Sequence, residues 1–255
     1  VNVVYISDIG FNVNTGVRMN NHNIYGNNFV YNFNPSYRFG NENGYTRIFG
    51  SYSTAFVVPS IQDLFSSFGN LDLNPQESTT LEFGAEFKKD SFTISATYFN
   101  RDVTNLIVFD PVSFILINSG DTKINGVEVN TSYNFTNSFG VKANYTYTNN
   151  EDAAIRIPKS KANLGLSYRL SDKTNFSLDY QYVNDRDDTD FRDFLNVQNV
   201  ALDAYSLLDF GATRELLKGL NIYANITNIL NSDYQEIFGF STRGRNFKLG
   251  FGYQF

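Results

Sequence analysis

The chain contains no cysteine and no tryptophan, and it has only one methionine, one histidine and five prolines. Without cysteine it forms neither a disulfide framework nor a thiolate metal site. No run of about 18 apolar residues occurs, which excludes a transmembrane helix. A net charge of −6 argues against nucleic acid as a partner. A membrane protein is still possible, because a membrane-spanning strand needs only alternate apolar residues.

Phenylalanine and tyrosine are abundant, with 25 and 17 copies among 255 residues. Many of them recur at every second position, and the last segment shows this best. Phe247, Leu249 and Phe251 fall on one face of an extended chain, and Lys248 and Gly250 fall on the other. The same period of two recurs at residues 11–19, 127–135, 139–148, 162–169 and 220–227. This period predicts β-strands along most of the chain.

The alternation favours a transmembrane β-barrel over a soluble β-sandwich, which also alternates. The alternating segments run to about ten residues or more, whereas strands of soluble proteins average about 5–6. Their polar faces are rich in Asn, Ser, Thr and Gly, as a water-filled lumen requires, and Tyr and Phe cluster near the strand ends. We therefore predict an all-β fold, an antiparallel transmembrane β-barrel.

The predicted connections alternate between short turns and long loops, apart from a short connection near Pro111. The short turns are Asn41–Gly44, Lys88–Ser91, Thr136–Ser138, Ser171–Thr174 and Leu217–Gly219, and the long loops are Val57–Glu77, Asn149–Pro158, Asn184–Val200 and Asn231–Thr242. Short turns face the periplasm in bacterial barrels, so the final strand runs inward. We count about thirteen strands. Because a closed barrel of this type needs an even number, either the count is off by one or the front of the barrel is missing, and we favour the second.

An ordered set of motifs resembles the TonB-dependent receptors of the bacterial outer membrane. Residues 56–65 look like the family's aromatic-x-x-Pro-x-x-x-x-Leu signature, with Pro59 and Leu64 in the matching places. Leu73 to Ser78 is similar to the family's L-x-P-E-x-S, with Gln76 inserted. Further similar motifs follow in the same order, at Tyr98–Val103, Asn118–Gly120, Gly126–Glu128, Asn225–Leu230, Tyr234–Gln235, Phe238–Phe240 and Gly244–Arg245. The resemblance covers nearly the whole chain and is greatest to the cobalamin transporters and related siderophore receptors.

This resemblance implies a barrel of about 22 strands with a plug domain inside it. Residues 1–255 are then the carboxy-terminal portion of the barrel, without the plug and the first strands. The implied function is import of a scarce nutrient, driven by TonB acting on the plug. We expect cobalamin or another corrinoid as substrate, with a ferric siderophore or haem as the alternative. Two other classes stay open, a passive porin of about fourteen strands and a soluble or surface β-protein that binds a partner.

Candidate ligand-binding residues lie at the predicted outer end of the barrel. Lys159 and Lys161 open an inward-running strand, where they resemble a basic cluster that contacts ligand in cobalamin transporters; ordinary charge at the rim is the alternative. Loop aromatics are candidates for an apolar pocket, although packing against the rim explains them equally well. They are Phe65, Phe68, Phe191, Phe194, Phe238 and Phe240.

The densest acidic cluster lies in one predicted outer loop and comprises Asp185, Asp187, Asp188, Asp190 and Asp193. Its oxygens permit a calcium site, but Arg186 and Arg192 interleave with the aspartates and neutralise them in the alternative that we prefer. We expect His22 to be a solvated loop residue. Glu82, Glu86 and Glu128 are expected to face the lumen, where they can pair with arginines of the plug.

The sequence contains no catalytic constellation, so we predict no enzyme activity, no cofactor and no metal. The chain ends with alternating aromatic residues, Phe251, Tyr253 and Phe255. This ending resembles the signal read by the machinery that assembles outer-membrane barrels. The alternative is an ordinary girdle of aromatic residues at the interface with outer-membrane lipid.

Overall fold

The computed structural model describes residues 1–41, 43–150, 155–193 and 196–254. Within these ranges the chain forms seventeen strands and one short helix. In chain order they are β1 (Asn2–Ile6), β2 (Phe11–His22), β3 (Gly26–Asn41), β4 (Gly44–Val57), α1 (Ile61–Phe65), β5 (Gln76–Lys89), β6 (Phe92–Thr104), β7 (Ile107–Asp110), β8 (Ile115–Asn118), β9 (Thr122–Asn134), β10 (Phe139–Asn150), β11 (Ser160–Ser171), β12 (Thr174–Val183), β13 (Arg186–Asp190), β14 (Gln198–Leu202), β15 (Tyr205–Leu217), β16 (Leu220–Thr227) and β17 (Asn246–Tyr253). Among the described residues, no helix has the length and apolar character needed to cross a membrane.

Thirteen of the strands form one antiparallel sheet, and their order across the sheet follows their order in the sequence. The order is β1-β2-β3-β4-β5-β6-β9-β10-β11-β12-β15-β16-β17. The other four strands form two separate hairpins, β7–β8 and β13–β14. The predicted fold class and the predicted number of strands are confirmed.

The chain divides into two compact units. The first unit comprises Val1–Phe87, Ala96–Val127 and Asn149–Ala153, and it contains β1 to β4, α1 and the β7–β8 hairpin. The second unit comprises Lys88–Ser95, Glu128–Thr148 and Ala154–Phe255, and it contains β11 to β17.

The strand register brings polar side chains together on one face of the sheet. In the second unit, Asn144 of β10 lies opposite Asn163 of β11, which lies opposite Gln181 of β12. The Asn163 amide donates to Asn144 Oδ1 at 2.7 Å, and the Gln181 amide donates to Asn163 Oδ1 at 3.1 Å. On the other face Tyr168 lies opposite Phe176. A slip of one residue would exchange these two faces, so the sequence fixes the register strongly.

The short turns are tight enough to require glycine at specific positions. Gly219 has a φ of +83°, and a Cβ there would lie 2.5 Å from the carbonyl oxygen of Gln254. Gly40 has a φ of +111°, and its Cβ would lie 2.3 Å from the carbonyl oxygen of Gly44. Both turns occur where short connections were predicted, so close backbone approach accounts for these two glycines.

The prediction of a short connection near Pro111 is wrong. Residues 105–121 form a long connection that contains the β7–β8 hairpin. Asn105 and Gly120 both have positive φ values, and the backbone N–H of Leu106 donates to Gly120 O at 3.2 Å. The residues of β7 and β8 are mostly apolar, so in the sequence they look like parts of barrel strands. The long connection between β6 and β9 was therefore not recognised. With this correction, long and short connections alternate from β4 to β17, whereas the three connections between β1 and β4 are all short.

Few apolar side chains are buried, and those that are lie near one end of the strands. They are Leu73, Val103, Val183, Leu202 and Tyr205. Leu73 lies in the β4–β5 connection, and Val183 and Tyr205 flank the β12–β15 connection. Large apolar residues along the strands are instead exposed on the apolar face. The strands therefore have no apolar core of their own, and compact packing is concentrated at the long connections.

We expect Leu249→Arg to destabilise the protein by about 2–4 kcal/mol, because Leu249 lies mid-strand on the face expected to meet lipid. The Leu249 side chain is 81% exposed, and Leu249 in β17 lies opposite Ala224 in β16. Gln254→Arg, on the polar face near the strand end, should cost much less. Denaturant unfolding in lipid vesicles measures both. Equal losses for the two variants would show that the assignment of faces is wrong.

Candidate functional site

One buried carboxylate joins three of the long connections in the second unit. Asp188 lies in β13, within the β12–β15 connection (residues 184–204), and its side chain is 0% exposed. Its Oδ1 accepts from the Thr189 backbone N–H at 2.7 Å and from Arg156 Nε at 2.8 Å. Its Oδ2 accepts from the backbone N–H of Phe238 at 2.8 Å. Arg156 belongs to the β10–β11 connection (151–159) and Phe238 to the β16–β17 connection (228–245).

Arg156 is held in an uncommon conformation by this contact. Its φ is +65°, a region that costs a non-glycine residue about 1–2 kcal/mol. Its backbone N–H donates to Asp187 O at 2.7 Å, and its guanidinium pairs with Asp188. The two bonds together fix Arg156, within residues 155–159 of the β10–β11 connection, against the β13–β14 hairpin.

A second arginine links the hairpin to the β16–β17 connection. Arg186 is only 7% exposed, and its Nη2 donates to Gln235 O at 2.7 Å. Its guanidinium lies over the ring of Tyr205 at 5.4 Å, and that ring packs on Tyr234 at 4.4 Å. We call the packed long connections of one unit its loop layer. Arg186 stabilises the loop layer of the second unit through the carbonyl of Gln235 and the ring of Tyr205.

Asn228 shapes the start of the β16–β17 connection. It is buried and has a φ of +52°. Its side chain accepts from Ser232 N–H at 2.9 Å and donates to Ser232 O at 2.9 Å, while its own N–H donates to Asp209 Oδ1 at 2.8 Å. Sequence reasoning missed this role, although an asparagine next to a strand end is a recognised signal for a left-handed turn.

The exposed surface of this loop layer carries an arginine stacked on an aromatic ring. Arg192 donates to Asp190 through Nε at 2.9 Å and Nη2 at 2.8 Å, and its guanidinium lies 4.7 Å from the ring centre of Phe238. Gly239 has a φ of +82°, and a Cβ there would approach Arg192 Cδ to 2.8 Å. The side chain and backbone N–H of Arg192 lower the pKa of Asp190 to about 2. The pair stays charged across the physiological range.

The predicted acidic cluster does not converge on a cation site. Among the described residues, no group of three or more metal-ligating side chains has the geometry to hold a metal. Arg192 neutralises Asp190 as expected. Arg186 bonds to a carbonyl instead, and the cation paired with Asp188 is Arg156, which the sequence interpretation did not include.

The first unit has its own packed loop layer, formed by the β4–β5 connection (58–75) and the β7–β8 hairpin. The Asn118 side chain accepts from Asn74 N–H at 2.8 Å and donates to Asn105 O at 2.8 Å. The Phe68 ring packs edge-on against Phe109 at 5.4 Å. Helix α1 starts with a capping box formed by Ser60 and Asp63. These contacts hold the proline-containing motif in place.

The predicted ligand-binding residues fall into packed and exposed groups. Phe68 is 43% exposed and contacts Phe109, Phe238 lies under the Arg192 guanidinium, and Phe191 is half-buried. Phe65 and Phe240 are exposed, at 70% and 67%. Phe194 lies outside the described residues. Phe65 and Phe68 belong to the first unit, and Phe191, Phe238 and Phe240 belong to the second.

The two predicted basic residues lie where β11 meets the long β10–β11 connection, Lys159 just before the strand and Lys161 as its second residue. Lys159 and Lys161 are both exposed, and Lys161 lies opposite Thr146 on the polar face. No ion pair of either lysine is formed among the described residues. The ligand-binding role of the two lysines stays a prediction.

Other predicted residues have local partners or lie in the strands. His22 Nδ1 accepts from Ile24 N–H at 3.2 Å and its ring stacks on Tyr25, so it organises the β2–β3 turn. Glu86 accepts from the Tyr45 hydroxyl at 2.8 Å and lies 3.7 Å from Arg47. Glu82 is half-buried and Glu128 is exposed; Phe251 and Tyr253 are exposed, and Phe255 lies outside the described residues.

Comparison with known proteins identifies the family. Residues 2–229 match the model of the TonB dependent receptor-like β-barrel, and the chain belongs to this family. The family comprises receptors of the bacterial outer membrane and not enzymes, so the chain is an outer-membrane receptor barrel.

Solved structures of low sequence identity share the fold. The ferric enterobactin receptor PfeA of Pseudomonas aeruginosa is 18% identical, with a TM-score of 0.78 over 96% of this chain and 42% of that chain. The siderophore receptor PirA of Acinetobacter baumannii is 16% identical, with a TM-score of 0.80 over 96% and 44%. The copper transporter OprC is 17% identical, with a TM-score of 0.77 over 99% and 46%. The chain thus spans less than half the length of these receptors.

We expect the joined loops to loosen only in strong acid. Burial raises the pKa of Asp188, but the N–H groups of Phe238 and Thr189 and the Arg156 guanidinium outweigh it, so the pKa is lowered. A lowered pKa stabilises the folded form above the unfolded value of about 3.9, and this stabilisation disappears as pH falls through the folded value. A spin label at Phe240→Cys should keep its mobility unchanged from neutral pH down to pH 5 and gain mobility only as the pH falls below the ordinary aspartate range. A mobility change centred near pH 6 would contradict the assignment.

Proposed function

We propose that this chain forms the wall and outer vestibule of a receptor that imports a scarce nutrient across the outer membrane. The observation that carries the proposal is the loop layer joined through Asp188, together with the family match of residues 2–229. Loops fixed on a rigid barrel suit ligand capture, because binding residues are commonly placed on loops held by a rigid scaffold. Polar side chains on the strand face below, such as Asn163 and Gln181, suit a water-filled lumen.

We also propose that residues 1–255 are the carboxy-terminal portion of a larger barrel that contains a plug. The sheet has thirteen strands, and bacterial barrels made by one chain have an even number. The chain covers 42–46% of the three receptors described above. In this arrangement further strands pair with β1 and β17, which lie at the two ends of the strand order.

The substrate class that we propose is a bulky metal chelate, with a ferric siderophore ahead of a corrinoid. Two of the similar structures are siderophore receptors and one is a copper transporter, so the earlier preference for cobalamin gains no support from them. The exposed lysines Lys159 and Lys161 offer positive charge, and the exposed Phe240 offers an aromatic face. An anionic aromatic chelate uses both, whereas a corrinoid uses mainly the apolar surface.

The partners follow from the same proposal. Energy arrives through TonB acting on the plug, and outer-membrane lipid surrounds the apolar face of the strands. The alternating aromatics Phe251, Tyr253 and Phe255 serve as the signal for the barrel-assembly machinery. A small-molecule nutrient is the ligand, and no nucleic acid takes part.

The partial-barrel proposal predicts that residues 1–255 alone form no stable, uniform channel. An odd number of antiparallel strands leaves β1 and β17 running in the same direction, so the two ends cannot complete an antiparallel pair. Conductance should be recorded after refolding the chain into planar bilayers. A single reproducible open conductance would support the passive porin instead.

We expect the Phe238→Ala, Phe240→Ala double variant of the full-length receptor to bind its ligand at least tenfold more weakly. Removal of a large side chain from full burial against a ligand costs about 1.5–3 kcal/mol. Ile24→Ala, at an exposed site in the β2–β3 turn, is the matched control and should bind normally. Calorimetric titration with ferric enterobactin and with cyanocobalamin separates the two substrate classes. Binding of cyanocobalamin alone would reverse the proposed order, and unchanged affinity in the double variant would remove these residues from the site.

A further inference from the structure

We propose that Asp188 is a positioning residue, which holds residues 155–159, 186–193 and 235–240 of three long connections together and so presets the Phe238–Phe240 segment before a ligand arrives. This inference rests on the proposed function, because it assigns the preset segment to ligand capture. The three connections are β10–β11, β12–β15 and β16–β17, and we call their joined contacts the Asp188 clasp. The clasp comprises Asp188, Arg156, Thr189 and Phe238.

The carboxylate uses both oxygens on donors that come from different parts of the chain. Arg156 lies 32 residues before Asp188, and Phe238 lies 50 residues after it. The side chain is fully enclosed, so water cannot replace a lost partner without opening the layer. A buried carboxylate that lost these donors would be left uncompensated, which is strongly unfavourable. The charge therefore favours a state in which all three connections are docked together.

Asp188 bonds to both outer connections, to Arg156 of one and to Phe238 of the other. Arg186 and Arg192 link the hairpin to the β16–β17 connection only. The remaining bond of Arg156 to the hairpin is its backbone N–H to Asp187 O. Loss of the Asp188 charge should therefore release the β10–β11 connection and loosen residues 235–240 at the same time.

The segment that the clasp presets is short and internally bonded. The Gly239 N–H donates to Gln235 Oε1 at 3.1 Å, and the Phe240 N–H donates to Ile237 O at 3.1 Å. Asp188 fixes this turn to the hairpin through Phe238 N–H, and Phe240 projects from it largely exposed. A preset turn does not have to be ordered when ligand binds, which improves affinity.

The chain offers a matched pair of variants. Asp188→Asn keeps the size of the side chain but removes the charge and turns an NH2 group toward one of the N–H donors. Asp187→Asn makes the same chemical change one residue away, where the side chain is exposed and the backbone carbonyl, which the substitution keeps, accepts from the Arg156 N–H. A general effect of charge or of mutating the hairpin would appear in both variants.

Hydrogen–deuterium exchange on the full-length receptor in lipid nanodiscs tests the clasp without any ligand. We expect Asp188→Asn to speed exchange at least tenfold in residues 155–159, 186–193 and 235–240 together, while strands β11 and β16 keep their protection. Asp187→Asn should match the wild type. Faster exchange confined to residues 186–193, or no change at all, would overturn the clasp.

Ligand titration then tests the positioning role. With ferric enterobactin as the probe, Asp188→Asn should raise Kd at least fivefold, and saturating probe should restore protection at residues 235–240. An unchanged Kd with loosened loops would overturn the positioning role while the clasp stands. Failure of the wild type to bind either ferric enterobactin or cyanocobalamin would count against the proposed function, and against the positioning role with it, whereas the exchange data would still decide on the clasp.

Discussion

A strand that crosses a lipid bilayer must find a partner on a neighbouring strand for every backbone N–H and C=O, because the hydrocarbon offers none. In this chain that requirement is met by long antiparallel strands. Each strand of the main sheet pairs with the strands of that sheet that come before and after it in the sequence. It also inverts the usual arrangement of side chains. Apolar residues such as Leu249 and Tyr168 face outward, and amides such as Asn163 bond to each other across the inner face. The strands consequently need no large apolar core, and the buried apolar side chains of the described residues lie in or beside the long connections.

That loop packing depends on polar anchors. Asp188 and Arg186 are charged and almost completely buried, and each has bonds that reach another connection. Burial of an ion pair contributes little net stability compared with an apolar pair of the same shape, but loss of one partner costs about 3–5 kcal/mol. Such a group therefore selects one arrangement of the loops rather than strengthening all of them. Arg156 also selects one arrangement of the loops. Its two bonds to the hairpin hold it at a positive φ, which the local preference of an arginine would not favour.

The strands could be predicted from the sequence because their signal is local, whereas the loop layer depends on partners far apart in the chain. The period of two at residues 247–253 is enough to assign β17 and both of its faces. Nothing within a few residues of Asp188 shows that its cation is Arg156 or that it binds the N–H of Phe238. The same limit explains the wrong prediction at Pro111, where β7 and β8 have the apolar character of strands but pair only with each other. From the sequence, Arg186 and Arg192 were both expected to neutralise neighbouring aspartates. In the structure Arg192 pairs with Asp190, whereas Arg186 donates to the carbonyl of Gln235.

The motifs that identified the family have a structural explanation of their own, which bears on how substrate specificity can vary. Leu73, Ser78, Val103 and Asn228 all belong to these motifs and are all buried where a strand meets a long connection. Asn228 shows why the residue type matters, since its amide bonds twice to Ser232 while its backbone adopts a left-handed turn. These motif residues fix how a loop leaves the barrel. Receptors of 16–18% identity can therefore share the barrel at TM-scores of 0.77–0.80 and still be named for different cargoes. On the proposed function, residues that distinguish one cargo from another belong on exposed surfaces such as that of Arg192, whose position the buried anchors determine.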